Sequence, residues 1–90
     1  MRVTVQYLAQ IKRAAGCSSE DVEAPEAISL RGFVVLLAAR HDSGFRTLLL
    51  DDAGEPRKSL LFFVGDDHAE LSRCLHDGDA VSILTPMSGG

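Results

Sequence analysis

The sequence predicts an α+β roll, a mixed sheet of four to five strands packed on one main helix. Three observations carry that expectation. Residues Arg2 to Tyr7 alternate apolar and polar, Leu30 to His41 carry an apolar stripe at helical spacing, and two further strand-like runs follow near the C-terminus. Ninety residues support a single hydrophobic core, so the chain is read as one domain over residues 1–86 with a tail at 87–90.

In the first run Val3, Val5 and Tyr7 fall on one face and Arg2, Thr4 and Gln6 on the other, the pattern of a half-buried strand. Good helix formers fill Ala9 to Ala15, and Gly16 is placed to stop them, which predicts a short helix. Ser18 to Ala24 then alternates up to Pro25, as a short strand returning on the first would. Ser29 is placed to cap the main helix, with Ile28 before it able to staple onto Phe33. Leu30, Phe33, Val34, Leu37 and His41 form the stripe that must lie on a sheet, and Gly32 is a weak point within it. Ser43-Gly44 is expected to terminate that helix and Phe45 to Leu50 to form a strand. Asp51 to Pro56 is dense in turn formers. Leu60 to Val64 reads as a central strand broken by Gly65-Asp66-Asp67. A last strand around Val81 and Ile83 follows the Asp77-Gly78-Asp79 turn and halts at Pro86. Placing the first and last strands side by side is the compact solution.

Composition narrows the function classes. The apolar fraction of 46% and charged fraction of 24% are those of an ordinary globular protein. A net charge of −4, with nine scattered Lys and Arg, argues against a nucleic-acid partner. The longest apolar runs fall far short of the roughly 20 residues needed to span a bilayer, and the N-terminus lacks the apolar segment of a signal peptide. No membrane association is expected, and the location predicted is cytoplasmic. Cys17 and Cys74 lie far apart with no neighbouring ligand at zinc-site spacing, and read as reduced, partly buried thiols.

No catalytic constellation stands out. Asp77 and Asp79 suit a turn better than a carboxylate pair, and three adjacent residues such as Asp66-Asp67-His68 seldom converge on one ion, so no metal site is expected. His41, His68 and His76 read as isolated surface or helix-end residues. Along Leu60 to Val64, Leu60, Phe62 and Val64 point one way and Leu61 and Phe63 the other. Alternation leaves open which set is core. Leu61 and Phe63, with Leu84 and Met87 beside the tail, are the candidate partner-binding residues.

Asp77-Gly78-Asp79-Ala80-Val81 followed by Thr85-Pro86-Met87-Ser88-Gly89-Gly90 resembles the C-terminal signature of the MoaD/ThiS sulfur-carrier family. The opening Val3 to Ala9, the mid-chain helix and the strand end Phe62-Phe63-Val64-Gly65 fall in the family's order, so the resemblance spans most of the domain. Many relatives carry Asn where this chain has Gly65, and Pro-Pro where it has Thr85-Pro86. The Pro-Met-Ser-Gly-Gly ending is most similar to that of the molybdopterin synthase small subunit, MoaD.

The resemblance implies a β-grasp, ubiquitin-like fold and a function. Gly90 would be the site of adenylation and thiocarboxylate formation, and Gly89 the slender part of the tail that lets it enter a narrow channel. Such a chain is not catalytic alone. Its implied partners are an E1-like adenylating enzyme of the MoeB type and either the molybdopterin synthase large subunit, MoaE type, or another sulfur-acceptor enzyme. No cofactor is bound, and ATP is used by the activating partner, in keeping with the lack of a P-loop or dinucleotide fingerprint. The same tail chemistry would serve cysteine, thiamin thiazole or tRNA thiolation. Conjugation to protein lysines as a ubiquitin-like modifier, or a binding module with an inert tail, are the readings from other classes.

Overall fold

The computed structural model describes residues 1–85. Its elements run β1 (Arg2–Tyr7), α1 (Gln10–Ala15), β2 (Ser19–Glu23), α2 (Leu30–Arg40), α3 (Ser43–Leu49), β3 (Leu61–Val64), β4 (Asp67–His68) and β5 (Ala80–Leu84). The strands form one mixed sheet in the order β2-β1-β5-β3-β4. β1 and β5 are parallel neighbours at its centre, and the other pairings are antiparallel. The first and last strands therefore do lie side by side.

One sheet face is the core. Val3, Val5 and Tyr7 of β1, Val22 of β2, Phe62 and Val64 of β3, and Val81 and Ile83 of β5 are buried in one cluster with the helices. The apolar stripe of α2 supplies Leu30, Phe33, Val34 and Leu37, as its spacing predicts. Ser29 caps that helix, its Oγ accepting from the Gly32 amide at 3.1 Å. A Cβ at Gly32 would sit 3.1 Å from Ile28 Cγ1, so that side chain would have to give by a few tenths of an ångström.

The segment expected to be a strand, Phe45 to Leu50, is a helix. α2 ends at His41 in extended backbone, and Asp42 starts α3 by accepting from the Phe45 amide at 3.0 Å. Phe45 and Leu49, four residues apart, then face the core together. Ser43-Gly44 accordingly opens a helix instead of closing one. Only Leu50, beyond α3, has extended pairing, a single bridge to Pro56. Cys17 is half-buried, whereas Cys74 is exposed, so the expectation of two partly buried thiols holds for the first alone. No helix among the described residues is long and apolar enough to cross a membrane.

The turn that aligns β5 is built as its residue types suggest. Gly78 takes a left-handed φ of 87°, Asp79 accepts from the His76 amide at 2.8 Å, and Asp77 accepts from the Arg2 amide at 2.7 Å. Both carboxylates are thus occupied in shaping backbone. The Arg2 contact also ties the start of β1 to the start of β5.

Candidate functional site

The sheet face opposite the helices carries the candidate residues. Register places Leu61 opposite Leu84 and Phe63 opposite Ser82, while the intervening Phe62 and Val64 oppose Ile83 and Val81 in the core. Because side chains alternate across a strand, this settles the parity: Leu61 and Phe63 face outward and Phe62 and Val64 inward. Leu60, just before β3, is buried with the inward set. Leu61, Phe63 and Leu84 are each half-buried on a face that no helix covers. Phe63 meets the His68 ring edge-on with centroids 5.7 Å apart. Beside this apolar group runs a polar strip, in which Ser82 Oγ donates to Gln6 Oε1 at 3.4 Å. Beyond it the Thr4 hydroxyl donates to Asp21 at 2.8 Å.

β5 ends at this same face. The Leu8 amide donates to the Ile83 carbonyl at 3.2 Å, so the chain leaving β1 flanks the last residues of β5. Leu8 is 42% exposed, one of the two large apolar side chains left so open among the described residues. Sequence reasoning missed it, although the alternation that puts Arg2, Thr4 and Gln6 outward carries Leu8 outward as well. The tail residues Met87, Gly89 and Gly90, and Pro86 before them, lie outside the described residues.

A second feature that sequence reasoning missed sits at the end of the core. The Tyr7 hydroxyl donates to Glu20 Oε2 at 2.7 Å, His41 Nε2 lies 2.6 Å from the same oxygen, and the Arg40 guanidinium is 3.5 Å from Glu20 Oε1. Tyr7 and Phe45 meet edge-on, and the His41 ring tilts over Phe45 at 4.2 Å. Burial raises the Tyr7 phenol well above its ordinary value, and the hydrogen bond and charge of Glu20 push the same way. For Glu20, burial alone would raise the carboxyl, but hydrogen bonds from Tyr7 and His41, with the charges of His41 and Arg40, outweigh it and hold the group below its usual range. His41 is therefore not isolated. Its partner is 21 residues away in sequence, and only the fold brings the two together.

The ThiS family model matches residues 5–90, nearly the whole chain and including Gly89-Gly90. The chain belongs to the ThiS family. Among solved structures, the ThiS-family chain is similar to SAMP1 from Haloferax volcanii, with a TM-score of 0.90 at 19% identity, covering all of both chains. It is also similar to Urm1 from Trypanosoma brucei, with a TM-score of 0.78 at 27% identity, covering 99% of this chain and 95% of that one. A third is a chain of the complex of subunits 1 and 2 of molybdopterin-converting factor from Helicobacter pylori 26695, with a TM-score of 0.65 at 23% identity over the full length of both. A search of curated proteins finds no match. The expected β-grasp, ubiquitin-like architecture is thus the architecture of this chain, and the family is that of ubiquitin-like sulfur carriers and modifiers.

Within the ThiS-family chain, three of the predicted partner-binding residues, Leu61, Phe63 and Leu84, come together on one uncovered surface. What that surface can do is bind. It sets a small aromatic-containing apolar centre beside hydroxyl and amide groups.

Proposed function

We propose that this ThiS-family protein is a sulfur carrier whose Gly90 carboxylate is loaded with sulfur by an E1-like adenylating enzyme and unloaded by an acceptor enzyme. The observation that carries the reading is the family match running through Gly89-Gly90, joined to a β5 that ends beside an uncovered apolar face. Chemistry supports it. A carboxylate is a poor electrophile, so it first attacks the α-phosphorus of ATP in the activating partner, releasing pyrophosphate and forming an acyl-adenylate. A persulfide sulfur then attacks the acyl carbon and expels AMP. Cleavage of the resulting acyl disulfide by a second thiol leaves the thiocarboxylate and a protein disulfide. The thiocarboxylate is the better nucleophile and transfers its sulfur to an acceptor carbon, after which water restores the carboxylate.

The acceptor we favour is the molybdopterin precursor, with the chain acting as the small subunit of a molybdopterin synthase, because the Pro86-Met87-Ser88-Gly89-Gly90 ending resembles that subunit. Leu61, Phe63, Leu84 and Met87 would form the docking surface shared by activating and acceptor partners. Intact-mass analysis after incubation with an E1-like enzyme, ATP and a sulfur donor tests the carrier step. The expected result is a gain equal to exchanging one oxygen for sulfur, lost when Gly90 is deleted. Lysine-linked adducts without thiocarboxylate would replace this reading with the modifier one.

A further inference from the structure

The fold sorts charge along the strands. β1 and β5 are parallel and β3 antiparallel to β5, so the ends of β1 and β5 and the start of β3 share one end of the sheet. At that end Lys12 lines a hollow with Gln6, Tyr7, Leu8 and Ala9, and with Arg13 lines the next hollow, beside Cys17. On the other flank Arg57 and Lys58 line a hollow with Leu61, the cross-strand partner of Leu84, where Glu70 is the carboxylate present. Arg57 is held back by its bond to the Thr47 carbonyl at 2.7 Å. Lys12, Arg13 and Lys58 are exposed and, among the described residues, have no ion-pair partner. The opposite end carries Asp66 in the turn after β3 and Asp67 at the start of β4, Asp77 and Asp79 before β5, and Glu23 and Glu26, countered by Arg2 and the N-terminal ammonium.

A chain of net charge −4 thus presents a cationic end where β5 finishes. We propose that Lys12, Arg13 and Lys58 form a docking collar for a protein partner whose tail-accepting channel opens on a carboxylate-lined rim. Attraction at the collar and repulsion at the acidic far end together turn the chain tail-first as it approaches. Rim charges of this kind act on the association rate and its salt dependence more than on the bound state. The inference rests on the carrier reading above, with the E1-like adenylating enzyme as the partner addressed.

The test is carrier-dependent ATP–pyrophosphate exchange by that enzyme, measured against ionic strength. For Lys12→Glu/Arg13→Glu/Lys58→Glu the expected result is a fall in kcat/KM of about tenfold or more at low salt, with kcat unchanged at saturating carrier. The wild-type decline with salt should flatten or reverse, since exposed charges are screened over about 10 Å at 0.1 M. The neutral set Lys12→Gln/Arg13→Gln/Lys58→Gln should fall in between, and it carries the test if charge reversal disturbs folding. Asp66→Lys/Asp67→Lys, at the far end, should not lower kcat/KM. Wild-type exchange that responds to salt and to the collar variants no more than to the far-end variant overturns the collar while leaving the carrier reading intact. No wild-type exchange at any salt overturns both.

Discussion

Replacing Tyr7 by Phe removes one oxygen from the best-defined polar cluster of the molecule while leaving the ring packing in place. The lost bond runs to the ionised Glu20 at 2.7 Å, and Tyr7 is only 1% exposed. Hydrogen bonds to charged groups contribute about 1.5–3 kcal/mol. Because Glu20 keeps His41 and Arg40, the lower end of that range applies, about 1.5 kcal/mol at pH 7. A domain of this size moves about 4–8 °C in Tm per kcal/mol, so a drop of about 6–12 °C is expected. The pH dependence gives an independent check. The phenol is raised in the fold above its ordinary value of 10.0. A raised folded value contributes stability that is fully present below the unfolded value and lost as pH climbs past it. The gap between wild type and Tyr7→Phe should therefore narrow above pH 10, because only the wild type loses that contribution. Urea melts at pH 7 and in the alkaline range measure both. A loss below about 0.5 kcal/mol at pH 7, or a gap that stays constant into alkali, refutes the reasoning.

Glu20 contributes to the acid limb. Its lowered value contributes stability above the ordinary 4.5 that is lost as pH falls below it, so Glu20→Gln should destabilise at pH 7 and flatten that acid decline in melts. On the carrier reading proposed above, Phe63→Asp should weaken binding to the adenylating enzyme by calorimetry beyond the folding cost of losing a half-buried ring packed on His68, which melts of the free chain measure separately. A central aromatic of an interface carries about 2 kcal/mol or more, roughly thirtyfold in Kd. Gly78→Ala tests the turn before β5. A Cβ there meets nothing within 4 Å, so the cost is that of the left-handed φ of 87° alone, about 1–2 kcal/mol in a denaturation midpoint.

What the sequence disclosed depended on how local the determining interaction is. β1, the stripe of α2, the Ser29 cap and the turn at Gly78 are each set by residues within a few positions of one another, and each is where the pattern puts it. α3 was misread because Phe45-Arg46-Thr47-Leu48-Leu49-Leu50 is a short apolar run that suits either state. The deciding group is the Asp42 carboxylate on the Phe45 amide, a cap lying across what looked like a helix stop. The signal was present as an Asx residue three positions ahead of the first core side chain.

The site divides along the same line. That Leu61 and Phe63 share a face follows from the two-residue period, but which face is core depends on where β5 and α2 pack, and no residue of β3 encodes that alone. Once β5 lies beside β3 with Leu84 opposite Leu61, one register assigns the whole face, because a slip of a single residue would exchange Phe62 and Val64 for Leu61 and Phe63 in the core. The Tyr7–Glu20–His41 cluster and the cationic collar are more distant still, joining β1, β2 and α2 in one case and α1 with the approach to β3 in the other. Charged residues leave no periodic trace of their partners, so Lys12 and Arg13 share one pole with Lys58, far from them in sequence, only through strand direction. A parallel β1–β5 pair is what places the α1 cations at the end where β5 stops. An antiparallel pairing would have put them at the other.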